Sequence, residues 1–277
     1  MKILITGATG KVGQRLCRHF SNRGDRVRAL VRDVGRAADL AAAGVDLVVG
    51  DLLDPASLAA AVDGVDAIVH CAAFFRGATA EQAHAVNDLG TQHLAQAARA
   101  AGVQRFVFTS TGLVYGDNGG GLADEDDACA PQQAYPQSKL DAERFLLGVD
   151  GLDVRIARLP FVYGDGDPHI AEIVPFMRGF PAEMRLSIGH HDDVARAIAL
   201  ILDAPALPHR IYNVVDNDAP TLAMLFAAVG APPPDGSNAA HAAAFGSAML
   251  DGRRLRSDLG FVPKYPRLAD AIAAGTA

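Results

Sequence analysis

The chain lacks most features that would place it in a membrane or on a polyanion. No apolar run approaches the roughly 18 residues of a membrane-spanning helix. The first strand pattern starts at Lys2, which leaves no room for a charged leader and an apolar stretch. A cytoplasmic protein with no membrane partner is the expectation. There is no lysine- or arginine-rich run either. The 25 basic residues face 32 acidic ones, for a formal charge of -7, so nothing suits the chain to a phosphate backbone and no nucleic-acid partner is expected. Cysteine is scarce. Cys17, Cys71 and Cys129 are unclustered and lack metal-ligand spacing, which predicts reduced thiols, Cys17 and Cys71 in the core, and neither a disulfide framework nor a zinc site. No internal repeat is visible. The alanine-rich tract from Ala95 to Ala101 reads as a close-packed or exposed helix.

What the chain does have is apolar bulk and a regular alternation. Half of its 277 residues are apolar, enough to bury a substantial core. Lys2 to Thr6 is a short apolar run ending in the turn Thr6-Gly-Ala-Thr-Gly-Lys-Val-Gly13. Val12, Leu16 and Phe20 then recur every fourth residue, as in a helix with one buried face. Strand patterns return at Arg26 to Arg32, Val45 to Val49, Ala67 to His70, Arg105 to Ser110, Asp153 to Arg158 and Arg210 to Val215. Strands alternating with helices predict an α/β fold, a doubly wound parallel sheet with helices on both faces. Past Tyr163-Gly-Asp-Gly-Asp-Pro168 the pattern changes, with prolines at 168, 175, 181 and 232 to 234. The expected organisation is a Rossmann-type NAD(P)-binding domain over residues 1-160 plus about 190-215. A small interleaved C-terminal substrate lobe would be formed by 161-189 and 216-277.

Within the turn, Gly7 permits the bend, Gly10 lets backbone approach a pyrophosphate, and Gly13 lets the helix pack closely on the strand. The phosphates would sit against the helix N-terminus. An NAD site commonly places a carboxylate at the end of the second strand, about 20 residues beyond the glycines, for the ribose 2′-hydroxyl. Here Val31 holds that position and Arg32 follows it. A guanidinium suits a 2′-phosphate bidentately, and Lys11 adds positive charge nearby, so NADP(H) is expected over NAD(H). Asp33 keeps NAD(H) open, because a change of register by one residue brings its carboxylate to the ribose. Downstream lies a spaced trio: Thr111, Tyr135 and Lys139. The last two stand at i and i+4, so one helix face carries both. An ammonium there favours the phenolate and makes tyrosine a usable acid or base near neutral pH.

These residues resemble the extended short-chain dehydrogenase/reductase superfamily, the group labelled NAD-dependent epimerase/dehydratase, over nearly the whole chain. The matching segments are Thr6 to Gly13, Gly50 to Asp54, His70 to Ala73, Val86 to Thr91, Phe108 to Gly116, Tyr135 to Lys139, Arg158 to Gly164 and His190 to Val194. The resemblance implies that Tyr135 is the general acid/base, that Lys139 is its electrostatic partner and a ligand of the nicotinamide ribose, and that Thr111 polarises the reacting oxygen. Ser110 is a second hydroxyl. It places Gly7, Thr9, Gly10, Lys11, Val12, Gly13 and Arg32 on the dinucleotide, Asp51 and Leu52 beside the adenine, and Ala72 and Ala73 along the cofactor channel. Asn87 lies below the active site, and Pro160 and Val162 are further cofactor contacts. A homodimer through segments Thr79 to Ala101 and Tyr135 to Leu147 is also implied.

Departures from the family pattern narrow the chemistry. Sugar-nucleotide dehydratases carry Asp-Glu directly after the catalytic threonine, whereas this chain has Gly112 and Leu113, which disfavours dehydration. The stretch before the His-x-Asp-Asp element is short, with Arg185 as its arginine and candidate anion ligand. Phe74 and Phe75 leave the fourth strand at the ligand-binding edge and predict an apolar wall for the substrate. Asp117 to Gln133 reads as a mobile flap. His190 and His191 adjoin Asp192 and Asp193, which a helix start capped by Asp explains without a metal. The expected activity is that of an NAD(P)H-dependent oxidoreductase acting on a small or medium carbonyl or alcohol. A sugar or sugar-nucleotide epimerase and a non-catalytic NADP-binding sensor are the alternatives.

Overall fold

A computed structural model describes residues 1–75, 77, 79–240, 242 and 248–277. Its central feature is a seven-stranded sheet built from β1 (Lys2–Thr6), β2 (Arg26–Val31), β3 (Asp46–Val49), β4 (Ala67–His70), β5 (Arg105–Thr111), β7 (Asp153–Leu159) and β10 (Ile211–Asn213), in the order β10-β7-β5-β4-β1-β2-β3. The pairs β1–β2, β1–β4, β2–β3 and β4–β5 are parallel, with Thr6 in register with both Leu30 and His70. Ile3, Leu4 and Ile5 are each fully buried, the continuous apolar run of a strand covered on both faces. The anticipated doubly wound sheet is therefore present, and its strand ends differ from the expected ones by no more than two residues.

The chain divides into two compact units. The first comprises Met1–Ser110, Gln133–Ala157 and Ile201–Pro205, and the second Thr111–Gln132, Arg158–Leu200 and Ala206–Ala277. The expected dinucleotide-binding part, 1-160 plus about 190-215, includes 111–132, 158–160, 190–200 and 206–215, which fall in the second unit.

In the first unit, α1 (Lys11–Asn22) buries Gly13, Leu16, Cys17 and Phe20 along one face. α2 (Ala38–Ala42) follows β2, and α3 (Pro55–Val62) starts with the Asp54 side chain accepting from the Ala56 amide and proline in the first turn. α4 (Ala80–Ala83) opens with a capping box between Thr79 and Gln82. It runs through a π-helical turn, His84–Leu89, into α5 (Gly90–Ala100), where the alanine tract packs Ala95 and Ala98 inward beside Leu94 and leaves Ala100 exposed. α6 (Ala134–Leu147) carries Tyr135 and Lys139.

In the second unit, β6 (Leu122–Ala123) pairs in parallel with β11 (Met249–Leu250), and β8 (Phe161–Tyr163) with β9 (Ile188–His190). α7 (His169–Met177) and α9 (Leu222–Ala228) share a core of Ile170, Ile173, Met177, Leu222, Leu225 and Phe226. α8 (His191–Asp203) begins one residue earlier than expected, so the two carboxylates lie inside its first turn and neither is the cap. His190 Nδ1 accepts from the Asp192 amide at 3.2 Å, and Asp193 accepts from the amides of Lys264 and Tyr265 at 2.7 and 2.8 Å.

The tightest helix-to-turn approach is at Gly13, where a Cβ would stand 2.1 Å from the Gly7 carbonyl oxygen, and backbone cannot move aside as a flexible side chain would. Gly13→Ala should therefore lower the free energy of unfolding by about 1–3 kcal/mol, the scale of overpacking. Urea unfolding of parent and variant checks this, and equal midpoints would contradict it.

Candidate active site

Gly7 adopts φ +68°, and a Cβ there would stand 2.6 Å from the Ala72 nitrogen, so the exits of β1 and β4 meet through bare backbone. The Gly10 amide donates to Gly7 O at 2.9 Å, and Gly10 caps α1 with no side-chain hydrogen bond. The Thr9 carbonyl accepts from Gln14 Nε2 at 3.0 Å, Val12 is half-buried, and no acidic residue stands in the first turn of α1. The positive end of the helix is thus left for an anion, and the glycine cradle fits a dinucleotide pyrophosphate. Lys11 and Arg32 are exposed, at the start of α1 and directly after β2. Asp33 Oδ1 accepts from the Gly35 amide at 2.8 Å, closing a local turn. Asp51 Oδ1 does the same for Leu53 at 2.9 Å, and Leu52 is buried.

Behind this turn lies a run of hydrogen bonds with one possible direction. Thr91 Oγ1 donates to the Asn87 carbonyl at 2.6 Å, so it can only accept at its 2.8 Å contact with His70 Nε2. Nε2 therefore carries the imidazole hydrogen, and Nδ1 accepts from Thr6 Oγ1 at 2.5 Å. Thr6 Oγ1 in turn accepts from the Ala72 amide at 3.2 Å. Burial holds the His70 pKa well below its ordinary value, with the nearby Lys139 charge acting in the same sense, which agrees with a neutral ring. Asn87 sits fully buried in the π turn. Its Oδ1 accepts from the Phe74 amide at 2.7 Å, and its Nδ2 donates to Phe74 O and to Ser138 Oγ, both at 3.0 Å. Ser138 Oγ donates to the Tyr135 carbonyl at 2.7 Å. Strand exits, π turn and α6 are thereby tied together in one network.

Tyr135 is half-buried in the first turn of α6, with the Phe75 ring centroid 4.5 Å from its own at an interplanar angle of 53°. Phe74 and Phe75 are 36% and 46% exposed, so both sit at the surface and neither is a core residue. Lys139 is buried, its Nζ 3.9 Å from the centroid of the Phe108 ring. Burial pushes its pKa down to about 7, against the pull of Cys71 and Glu143 toward the charged form. This qualifies the sequence expectation: desolvation works against the ammonium that was to assist the phenol. Cys17 is fully buried, and Cys71 is half-buried as a residue while its thiol lies deep enough for burial to raise its pKa to about 12. Among the described residues none of the three cysteines is joined in a disulfide.

The first unit thus gathers the glycine turn, Ala72, the exposed Ala73, Phe74, Phe75, Asn87, Tyr135 and Lys139. Thr111, Pro160, Val162 and Arg185 belong to the second. Thr111, buried at the end of β5, accepts from the Leu113 amide at 3.3 Å, and Ser110 Oγ has no hydrogen-bond partner among the described residues. Val162 lies in β8 beside Gly189, whose Cβ would meet Pro160 at 2.9 Å. Arg185 Nη1 donates to Ala219 O at 2.6 Å and lies 4.0 Å from Asp218, on an exposed side chain. The segment Asp117 to Gln133 is not simply a free loop. Leu122 and Ala123 pair with Met249 and Leu250, and the buried Glu125 accepts from the Asn213 amide at 2.7 Å. Among the described residues no group of three or more His, Cys, Asp or Glu is placed to hold a metal ion, and His191 pairs with Asp167 at 2.8 Å. The sequence reading gave no role to Thr6, His70 and Ser138, which the hydrogen bonds place in one network, nor to the buried Glu143. Only Glu143 carried a periodic signal, repeating the four-residue step from Tyr135 to Lys139.

This fold and cradle define a dinucleotide-binding α/β protein with a tyrosine-lysine pair at the strand ends. The model of the NAD dependent epimerase/dehydratase family matches residues 3–214, and the chain belongs to that family. It is 37% identical over 183 residues to "3 beta-hydroxysteroid dehydrogenase/Delta 5-->4-isomerase" of Mycobacterium tuberculosis, covering 60% of this chain and 48% of the relative. It is 38% identical over 193 residues to "2-alkyl-3-oxoalkanoate reductase" of Stenotrophomonas maltophilia, covering 62% and 55%. The chain spans about half the length of the curated relatives it matches. Among solved structures, MoeE5 in complex with UDP-glucose and NAD superposes with a TM-score of 0.83 at 27% identity, over 99% of this chain and 96% of that one.

The depressed Lys139 pKa has a thermodynamic signature. Between pH 7 and the ordinary lysine value of 10.5, the unfolded chain holds a proton that the folded chain does not, so this residue makes stability rise with pH. Between pH 7 and 9 the unfolding free energy of the parent should rise by about 2–3 kcal/mol relative to Lys139→Met. Above the ordinary thiol value of 9.0, Cys17 and Cys71, both pushed up to about 12 by burial, act in the opposite sense. Denaturant titrations of the two proteins at a series of pH values test this, and parallel curves would rule it out.

Proposed function

We propose that this chain is an NADP(H)-preferring oxidoreductase that reduces a carbonyl, or oxidises the matching alcohol, on a modest-sized and partly apolar substrate. The reading is carried by the half-buried Tyr135 phenol, one helical turn from the buried Lys139 amine and in ring contact with the exposed Phe75. When bound, the nicotinamide supplies or takes the hydride. Tyr135 gives or takes the proton at the substrate oxygen, Thr111 hydrogen-bonds that oxygen, and Lys139, when charged, favours the phenolate and holds the ribose. Gly112 and Leu113 supply no carboxylate for dehydration. Two relatives bear the names of a dehydrogenase and a reductase. The preference for NADP(H) rests on the exposed Arg32 and Lys11, with the Asp33 carboxylate already accepting a backbone amide. NAD(H) is the alternative, favoured by the solved neighbour that holds NAD. A second copy of the chain is the expected partner, through segments Thr79 to Ala101 and Tyr135 to Leu147.

A second reading, epimerisation of a sugar or sugar nucleotide with transient cofactor reduction, is favoured by likeness to the UDP-glucose complex over 99% of the chain. Absorbance at the nicotinamide band separates the two. A reductase changes it with each turnover, and an epimerase shows no net change.

Tyr135→Phe removes one oxygen and keeps the ring, so cofactor affinity and folding should persist while turnover falls by about a hundredfold or more. Single-turnover rates across a pH series check this, and a parental rate at every pH would assign the proton to another group. Arg32→Asp exchanges attraction for repulsion at the 2′-phosphate and should weaken NADPH binding by at least about tenfold while sparing NADH. Thermal-shift titrations with the two cofactors measure it, and an unchanged NADPH affinity would remove Arg32 from the site.

A further inference from the structure

We propose that Glu143 is the positioning residue that keeps Lys139 charged, its buried carboxylate one turn further along α6 acting as counter-ion to the ammonium beside the reactive phenol. Tyr135, Lys139 and Glu143 stand at i, i+4 and i+8 of one helix, and Lys139 and Glu143 are each only 1% exposed. Side chains four residues apart on a helix have their Cβ atoms about 5–6 Å from one another. A lysine and a glutamate buried at that separation must interact, because little water is left to screen them.

The groups that face Lys139 from its surroundings single out Glu143. β4 contributes His70, neutral by its hydrogen-bond directions, and the residue after β4, Cys71, has a thiol pushed up to about 12 and so uncharged near neutral pH. β5 contributes the Phe108 ring, and Thr109, whose hydroxyl donates to His70 O at 3.1 Å. From the π turn packed against α6, Asp88 is 3.2 Å from His84 and accepts from Gln92 at 2.9 Å. With the Cys71 thiol neutral near pH 7, the pull on Lys139 toward its charged form falls to the Glu143 carboxylate. Helix stability does not account for the pair. Lysine preceding glutamate is the weaker order for an i, i+4 pair, and burying both charges carries a desolvation cost that apolar side chains would not. What the pair does supply is a cation retained in a dry site, whose pKa of about 7 already places it at the edge of losing its proton.

This inference rests on the reading of Tyr135 and Lys139 as the proton-handling pair, and its test needs no substrate. The chain has four lysines, Lys2, Lys11, Lys139 and Lys264, so the full-length protein labelled with 13C at the lysine ε carbons gives a spectrum simple enough to titrate. One signal, absent in Lys139→Met, should titrate near pH 7. In Glu143→Gln that midpoint should move toward acid, so that about tenfold more protons are needed to charge Lys139. Glu143→Asp, which keeps the charge on a shorter stem, should recover most of the difference. An unchanged midpoint in a folded Glu143→Gln protein overturns the proposal, as does an Asp variant that moves as far as the Gln one. Should Glu143→Gln not fold, the Asp variant decides alone: a small move toward acid supports the assignment, and no move or an alkaline one overturns it. A purely structural Glu143 would lower the melting temperature and leave the Lys139 midpoint in place. Failure to find a reducible carbonyl would count against the oxidoreductase reading and would not touch this titration.

Discussion

The imidazole of His70 has one hydrogen to give and one lone pair to offer, and its neighbours decide which nitrogen does which. At one end the Ala72 amide can only donate, and at the other the Asn87 carbonyl can only accept, so the two threonine hydroxyls between them must relay in one sense. A second proton on the ring would abolish Thr6's donation in a place from which water is excluded. The neutral ring therefore fixes the spacing between the glycine turn, the exit of β4 and the helix that bears Asn87. Asn87 passes that constraint on, through Phe74 and Ser138, to the backbone of Tyr135.

Charge at the same strand ends is set by a contest in which burial leads. Moving the Lys139 pKa from its ordinary value to about 7 corresponds to roughly 5 kcal/mol of net preference for the neutral amine. A cation over an aromatic face returns about 2 kcal/mol or somewhat more when desolvated, so the Phe108 ring alone cannot hold the charge. The pull of the Glu143 carboxylate toward the charged form is already contained in that net figure. A site poised this way changes charge with small perturbations near neutral pH.

Much of this was legible from residue order because it depends on short periods. The apolar run before Thr6, the four-residue steps of Val12, Leu16 and Phe20, and the Tyr135 to Lys139 spacing each report one element, and each element is present. What could not be read depends on residues far apart in sequence. Glu125 is anchored by Asn213, 88 positions away, so a glycine-rich, acidic stretch looked like a free flap. Asp193 looked like a helix cap until the chain at Lys264 and Tyr265 came back to claim both carboxylate oxygens. The His70 chain joins residues from 6 to 91 and has no periodic trace.

The π turn at His84–Leu89 has a consequence for phase. An α-helix advances about 100° per residue, so a turn wider by one residue leaves α5 rotated by roughly that angle from where the α4 pattern would have carried it. Hydrophobic faces on the two sides of the turn are thus read in different frames. Deleting one residue between Ala83 and Gly90 would leave the composition almost untouched, yet it would swing Thr91, Leu94 and Ala98 together out of their buried positions. In this stretch a one-residue gap between related chains is an angular change, and counting identities would not reveal it.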